Sequence, residues 1–193
     1  NLEQMLSRVV RSLGEAGRRL HILDIASGPG RYVLETIKGL EPLPVTATLR
    51  DYKTVNVEAG QRLAKELGLE CVKVERGDAF DQEALAAIQP RPTVGIVSGL
   101  FELFPMNQRL LQSLRGLFDA IEPGGYLIYT NQPWHPQLEL IARSLGNREG
   151  DAWVMRRRTQ AEMDALVEAC GFVKVEQQID AWGIFSVSLA RRP

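Results

Sequence analysis

The stretch Ile22-Leu23-Asp24-Ile25-Ala26-Ser27-Gly28-Pro29-Gly30-Arg31-Tyr32 constrains this chain more than any other. Apolar, β-favouring residues flank an aspartate, a glycine-rich turn follows, and Arg31 to Ile37 continues with helical spacing. Strand, tight turn and helix N-terminus, in that order, form the place where an α/β sheet receives a nucleotide-like ligand. Gly28 and Gly30 lack Cβ atoms, so the backbone can take positive φ and let a ligand approach closely. The carboxylate of Asp24 at the strand's end would repel a phosphate but suits an ammonium or sulfonium group. The same residues also fit a plain strand-to-helix turn that binds nothing.

Strand-like and helix-like segments alternate along the rest of the chain. Leu2, Met5, Leu6, Val9, Val10 and Leu13 form one apolar helical stripe. Residues 1–17 are therefore read as an accessory helix, either packed near the ligand pocket or covering a sheet edge. Helix Tyr32 to Leu40 leads to a strand over 45–52, then to a helix that Thr54 caps and Gly68 ends. A strand from Cys71, a short helix Gln82 to Ile88 and a buried strand Thr93 to Leu100 come next. Met106 to Ile121 has helical spacing, and Glu122-Pro123-Gly124-Gly125 reverses the chain into another buried strand. Helix Gln137 to Leu145 precedes a loop over 146–151, of the kind that serves as a lid. Thr159 and Glu162 form a capping box, and two alternating strands, Val173–Ile179 and Ile184–Ala190, end the pattern. One α/β domain over residues 1–193 is expected.

Several polar residues fall at the carboxyl ends of these strands. Asp51, roughly 20 residues beyond the glycine turn, stands where doubly wound folds hold ribose hydroxyls with a carboxylate. A helix cap is its other reading. Tyr52 can lay its ring on a base or sit at the core edge. Glu102, in the apolar loop Phe101–Phe104, can orient a nucleophile or face solvent. Asn131-Gln132-Pro133-Trp134-His135-Pro136 offers an aromatic plane, an amide pair and an imidazole. His135 has the pKa range of a general base, or else it holds the loop. His21 is read as a surface residue. Phe101 and Trp134 are candidate acceptor contacts. Arg156-Arg157-Arg158 is either a solvated face or, through Arg156 and Arg157, a patch for an acidic group.

Composition narrows the classes. Lys and Arg number 23 against 24 Asp and Glu, so no net field points to nucleic acid or an anionic membrane. Cys71 and Cys170 stand far apart in sequence, so neither a zinc site nor a disulfide framework is indicated, and a reducing cytoplasm is expected. No apolar run approaches the roughly 18 residues of a membrane span. A chain that starts at Asn1 rather than Met is read as a piece of a longer one.

Asp24-Ile25-Ala26-Ser27-Gly28-Pro29-Gly30 resembles motif I of the class I S-adenosylmethionine-dependent methyltransferases, Asp-x-Gly-x-Gly-x-Gly, with Ala26 in place of the first glycine. The Pro123-Gly124-Gly125 turn resembles that family's entrance to strand five. The last two strands resemble its final antiparallel hairpin. The resemblance implies a Rossmann-like doubly wound sheet of seven mostly parallel strands, order 3-2-1-4-5-7-6, the last strand antiparallel, with helices on both faces. It implies S-adenosylmethionine as cofactor, held by Asp24, Ala26, Gly28, Gly30 and Tyr32 with Asp51 and Tyr52. It further implies that Asp78 accepts from the adenine amino group, flanked by Ala79 and Phe80, and that Ser98 and Gly99 face the methyl.

More narrowly, Arg31-Tyr32-Val33-Leu34, Asn131–Pro136 and Trp153–Arg158 resemble a family of bacterial methyltransferases sometimes fused to an α/β-hydrolase domain. The absence of the Asn-Pro-Pro-Tyr signature after strand four makes nucleic acid an unfavoured acceptor and leaves a small or lipid-like molecule. Two other readings stay open: a non-catalytic cofactor-binding or interaction module, and an NAD-type oxidoreductase. The oxidoreductase is less favoured because the third position of its glycine pattern, counted from Gly28, is Val33.

Overall fold

The computed structural model describes residues 1–146 and 150–193, so the middle of the loop expected over 146–151 lies outside the described residues. Seven strands form one sheet: β1 (Leu20–Asp24), β2 (Val45–Asp51), β3 (Val72–Arg76), β4 (Val94–Val97), β5 (Tyr126–Asn131), β6 (Val173–Ile179) and β7 (Ser186–Arg191). Their order is β3-β2-β1-β4-β5-β7-β6, with β7 antiparallel to both of its neighbours and the other pairs parallel. This is the topology that the resemblance implies.

The pleat of β1 and β2 divides the core. Leu20 and Ile22 of β1, with Val45, Ala47 and Leu49 of β2, pack under α1 (Leu2–Glu15), α2 (Arg31–Gly39) and α3 (Thr54–Glu66). Leu23, Val97, Leu127 and Tyr129 face the other way. They pack under α4 (Gln82–Ala86), α5 (Asn107–Ala120) and α7 (Gln160–Glu168). A sixth helix, α6 (Leu138–Ser144), has no buried residue.

The α1 stripe buries Met5, Leu6, Val9, Val10 and Leu13 as its spacing predicts. Its first turn reaches the carboxyl rim of the sheet, where Asn1 Nδ2 donates to the carbonyl of Ile179. At the opposite rim Gly124 takes φ +75°, and a Cβ on Gly125 would lie 2.7 Å from the Thr93 carbonyl oxygen. The paired glycines therefore let the chain turn tightly beside β4.

Three expectations are corrected. His21 is 2% exposed, with its ring between the hydroxyls of Thr46 (2.8 Å) and Thr48 (3.3 Å) on one sheet face. Thr54 is the first residue of α3 rather than its cap, which is Lys53. Glu162 is in the expected box, and Thr159 Oγ1 accepts from its N–H, but its carboxylate turns to Arg156 and Asn107 instead.

Candidate functional site

Polar residues collect where β1, β2, β4 and β5 end. Asp24, Ser27, Asp51, Thr130, Asn131 and Gln132 are all buried there, among otherwise apolar strand ends. Buried polar groups are as a rule hydrogen-bonded.

The glycine turn is tied to β2. Ser27 N–H donates to the Arg50 carbonyl (3.0 Å) and Gly28 N–H to Asp51 Oδ2 (2.9 Å). Gly28 and Gly30 take φ of +57° and +70°, and a Cβ on Gly30 would meet Leu49 Cδ1 at 2.5 Å. A side chain at Gly30 would therefore be strained by its positive φ and would crowd Leu49, whereas the space beside Gly28 is open. Asp51 Oδ1 accepts from Lys53 N–H (2.9 Å) and Asn56 Nδ2 (3.0 Å). With Gly28 this fills three of the roughly four acceptor positions of a carboxylate. Asp51 thus ties the glycine turn to the start of α3.

Asp24 is fully buried beneath the turn. It accepts from the Tyr32 hydroxyl, eight residues on in α2, and more weakly from Ala26 N–H at 3.4 Å. Burial pushes its pKa up to about 7, against the lowering effect of these donors, and the charge of Asp51 raises it further. Tyr32 itself is pushed well above its ordinary value by burial and by the Asp24 charge.

On the β3 side, Asp78 accepts from Phe80 N–H (2.9 Å) and Asp81 caps α4 through Ala84 N–H (2.9 Å). The cap of α4 is therefore Asp81, as expected, and Asp78 stays in the exit loop. Ala79 is buried. Phe80 packs edge-on against Phe104 with centroids 4.5 Å apart, and the Arg109 guanidinium lies 5.6 Å from each ring centroid. Tyr52 is 57% exposed, with Arg76 over its ring.

After β4, Gly99 takes φ +64° and its N–H donates to Thr130 Oγ1 (3.0 Å). Ser98 lies beside it, partly buried. The loop expected over Phe101–Phe104 is a 3-10 turn, Phe101–Leu103. Phe101 is 3% exposed and packs into the core, so it supports the site from behind and does not line it. Glu102 Oε1 lies 3.9 Å from where a Cβ on Gly99 would stand. Burial raises its pKa, offset by a backbone hydrogen bond and by the charge of Arg158.

The arginine run divides into three environments. Arg158 is 1% exposed: its Nε donates to Asn107 Oδ1 (2.8 Å), Nη1 to the Phe101 carbonyl (2.8 Å) and Nη2 to the Phe104 carbonyl (2.7 Å). It therefore clamps the turn that presents Glu102. Arg156 pairs with Glu162 (2.8 Å), and its N–H donates to the Glu102 carbonyl (2.7 Å). Arg157 is exposed. The sequence gives no warning of Arg158, because a run of like charges reads as solvated. Asn131 Nδ2 donates to the Arg158 carbonyl (3.1 Å), so β5 and the clamp support each other.

His135 and Trp134 lie on the segment after β5. Trp134 is 49% exposed. His135 Nδ1 accepts from Gln137 N–H at 3.1 Å. That bond ties the imidazole to its own loop.

No group of three or more potential metal ligands occurs among the described residues, and none of their helices is long and apolar enough to cross a membrane.

Known proteins match this arrangement. The chain is 50% identical over 194 residues to the Escherichia coli (strain K12) protein called "Uncharacterized protein YnbC", covering all of this chain and 33% of that protein. It thus spans about one third of the curated relative that it matches. Among solved structures, a SAM-dependent methyltransferase from Methanosarcina mazei superposes with a TM-score of 0.68 at 16% identity, over 90% of this chain and 92% of that one. Magnesium protoporphyrin IX methyltransferase from Synechocystis PCC 6803, solved with bound SAH, gives 0.71 at 15% identity over 99% and 83%. At such identities these two structures show a shared fold. The family described as "Putative methyltransferase" matches residues 1–192, and with the sheet order and the glycine turn this establishes that the chain belongs to that methyltransferase family.

Proposed function

We propose that the chain binds S-adenosylmethionine at the carboxyl rim and transfers its methyl to a small-molecule or lipid-like acceptor. The observation that supports this reading is the glycine turn tied to Asp51 over the buried Asp24, with Glu102 beside Gly99 at the end of the neighbouring strand β4. The residues fit that cofactor. The open space beside Gly28 leaves room for a ligand, and Asp24 offers a buried carboxyl, ionised above about pH 7, to a cationic amino acid group through the turn. Asp51 has roughly one acceptor position left for a ribose hydroxyl. The Asp78–Phe80 loop offers a carboxylate tip, Ala79 and the Phe80 ring to adenine, with Tyr52 at its outer edge. Residues 1–193 act in this proposal as one methyltransferase domain with 1–17 as its accessory helix. A fused hydrolase domain in a longer protein is part of the same reading.

The cofactor supplies, when bound, a sulfonium methyl that an acceptor nucleophile displaces. The protein contributes alignment, exclusion of water and a place for the acceptor's proton. Glu102 receives that proton in our account. Its carboxyl stands beside Gly99, at the end of β4, and burial has moved it toward a working base. His135 serves the loop in this reading, its Nδ1 accepting from Gln137 N–H. Trp134, Arg156 and Arg157 are the side chains that this reading assigns to the acceptor.

Two measurements check these assignments. Asp51→Ala should weaken S-adenosylhomocysteine binding about tenfold or more by calorimetry, since a hydrogen bond to a charged group is worth roughly 1.5–3 kcal/mol. Unchanged affinity would remove Asp51 from the cofactor site. Glu102→Gln should keep that affinity but lower labelled-methyl transfer into a cell-extract acceptor by about 100-fold, the usual scale of a lost general base. His135→Ala should transfer at a nearly unaltered rate. If the histidine variant is the impaired one, the roles are reversed.

A further inference from the structure

Away from the rim, β2 and β3 carry a polar patch that its cover leaves unsatisfied. The register sets Thr48 beside Lys73 and Arg50 beside Glu75, on the face toward α4. The opposite face of the same strands is apolar, with Val45, Ala47, Leu49 and Val74 in the core. Lys73 and Glu75 lie on the edge strand and are partly exposed, but Thr48 and Arg50 are buried where a covered parallel strand is normally apolar, so the buried Arg50 above all needs a reason.

The short α4 leaves a cavity of about 250 Å³ over them, lined also by Ala87 and Gln89. Arg50 is 8% exposed, and its Nε and Nη1 are buried with no hydrogen-bond acceptor. Glu75 pairs with Arg50 only loosely. Its Oε1 stands 3.6 Å from Arg50 Nε, beyond hydrogen-bond distance, while Oε2 is held by Lys73 Nζ at 2.5 Å. On the far side the guanidinium abuts Gly77, where a Cβ would lie 2.2 Å from Nε. Arg50 is therefore held in place with idle donors, and two cations share one carboxylate.

We propose that this cavity is a second ligand site, separate from the nucleoside crevice, for a small oxyanion: a phosphoryl or carboxylate group. The anion's oxygens accept from the Arg50 guanidinium, which lines the cavity, with Lys73 and Thr48 at its edge. Charge-assisted bonds of this kind are the strong ones, and a guanidinium is suited to make them.

The test is a titration of the 193-residue chain with inorganic phosphate and, separately, with acetate, at constant ionic strength, read by calorimetry and thermal unfolding. Saturable binding with a rise in Tm is expected for at least one anion; phosphate alone assigns a phosphoryl group, acetate alone a carboxylate. Arg50→Gln should weaken binding about tenfold or more, as expected for a lost hydrogen bond to a charged group. Should that buried variant fail to fold, Lys73→Met serves, because the Lys73 side chain is 70% exposed. Its expected loss is about threefold, in line with a partly screened charge. No saturable heat from either anion, or an unchanged affinity in the folded variants, would overturn the site.

Discussion

Arg158→Met should destabilise the fold by about 3–5 kcal/mol, because the buried carbonyls of Phe101 and Phe104 and the Asn107 amide oxygen lose their donor at roughly 1–3 kcal/mol each. For a chain of this length that corresponds to a fall in Tm of about 10 °C or more. The three bonds, at 2.7–2.8 Å, run in different directions from one planar group. Arg158→Lys keeps the charge but cannot reproduce that fork, so it should recover less than half of the loss. Binding at the glycine turn should survive in the folded fraction, while transfer depends on the Glu102 turn and should fail. Thermal unfolding within about 1 kcal/mol of wild type, the range of a surface substitution, would show the clamp to be dispensable.

Asp24→Asn should gain stability on the wild type as pH rises. The carboxyl titrates near 7 in the fold, against about 3.9 in an unfolded chain. Between those values the folded protein holds a proton that the unfolded chain has released. Wild-type stability therefore falls with rising pH through this window and levels off above it. Asparagine does not titrate. From pH 5 to 8 the variant should gain about 2–3 kcal/mol relative to wild type, or roughly 5–10 °C in Tm. In the proposed function the same substitution lowers affinity for the cationic cofactor, and most at high pH, where Asp24 is ionised. Tm curves that run parallel across this range would show that the carboxyl is not held near neutrality.

The sheet was legible because its punctuation is written in local chemistry. The Gly28–Gly30 turn, the Pro123-Gly124-Gly125 reversal and the α1 stripe each follow from spacing or from glycine geometry that the structure repeats. What stayed hidden depends on partners far apart in sequence. Tyr32 meets Asp24 only because α2 folds back over β1. Arg158 meets Phe101 and Phe104 only once α7 is placed beside α5. His21 looked like a surface residue because nothing local marks it as buried. Its burial follows from pairing with Thr46 and Thr48, whose shared face becomes visible only when the β1–β2 register is known. Of the candidate site, the strand-end acids were legible by position. Their occupancy was not: Asp51 had already committed most of its acceptor positions to Gly28, Lys53 and Asn56.

The crevice between the glycine turn and Asp51 is where the account can be tested most directly, by a crystal structure of the chain grown with S-adenosylhomocysteine. The account predicts the ribose against Asp51, the adenine at the Asp78–Phe80 loop and the amino acid end at the turn above Asp24. A nucleoside bound elsewhere, or a crystal from saturating ligand with none in that crevice, would contradict it.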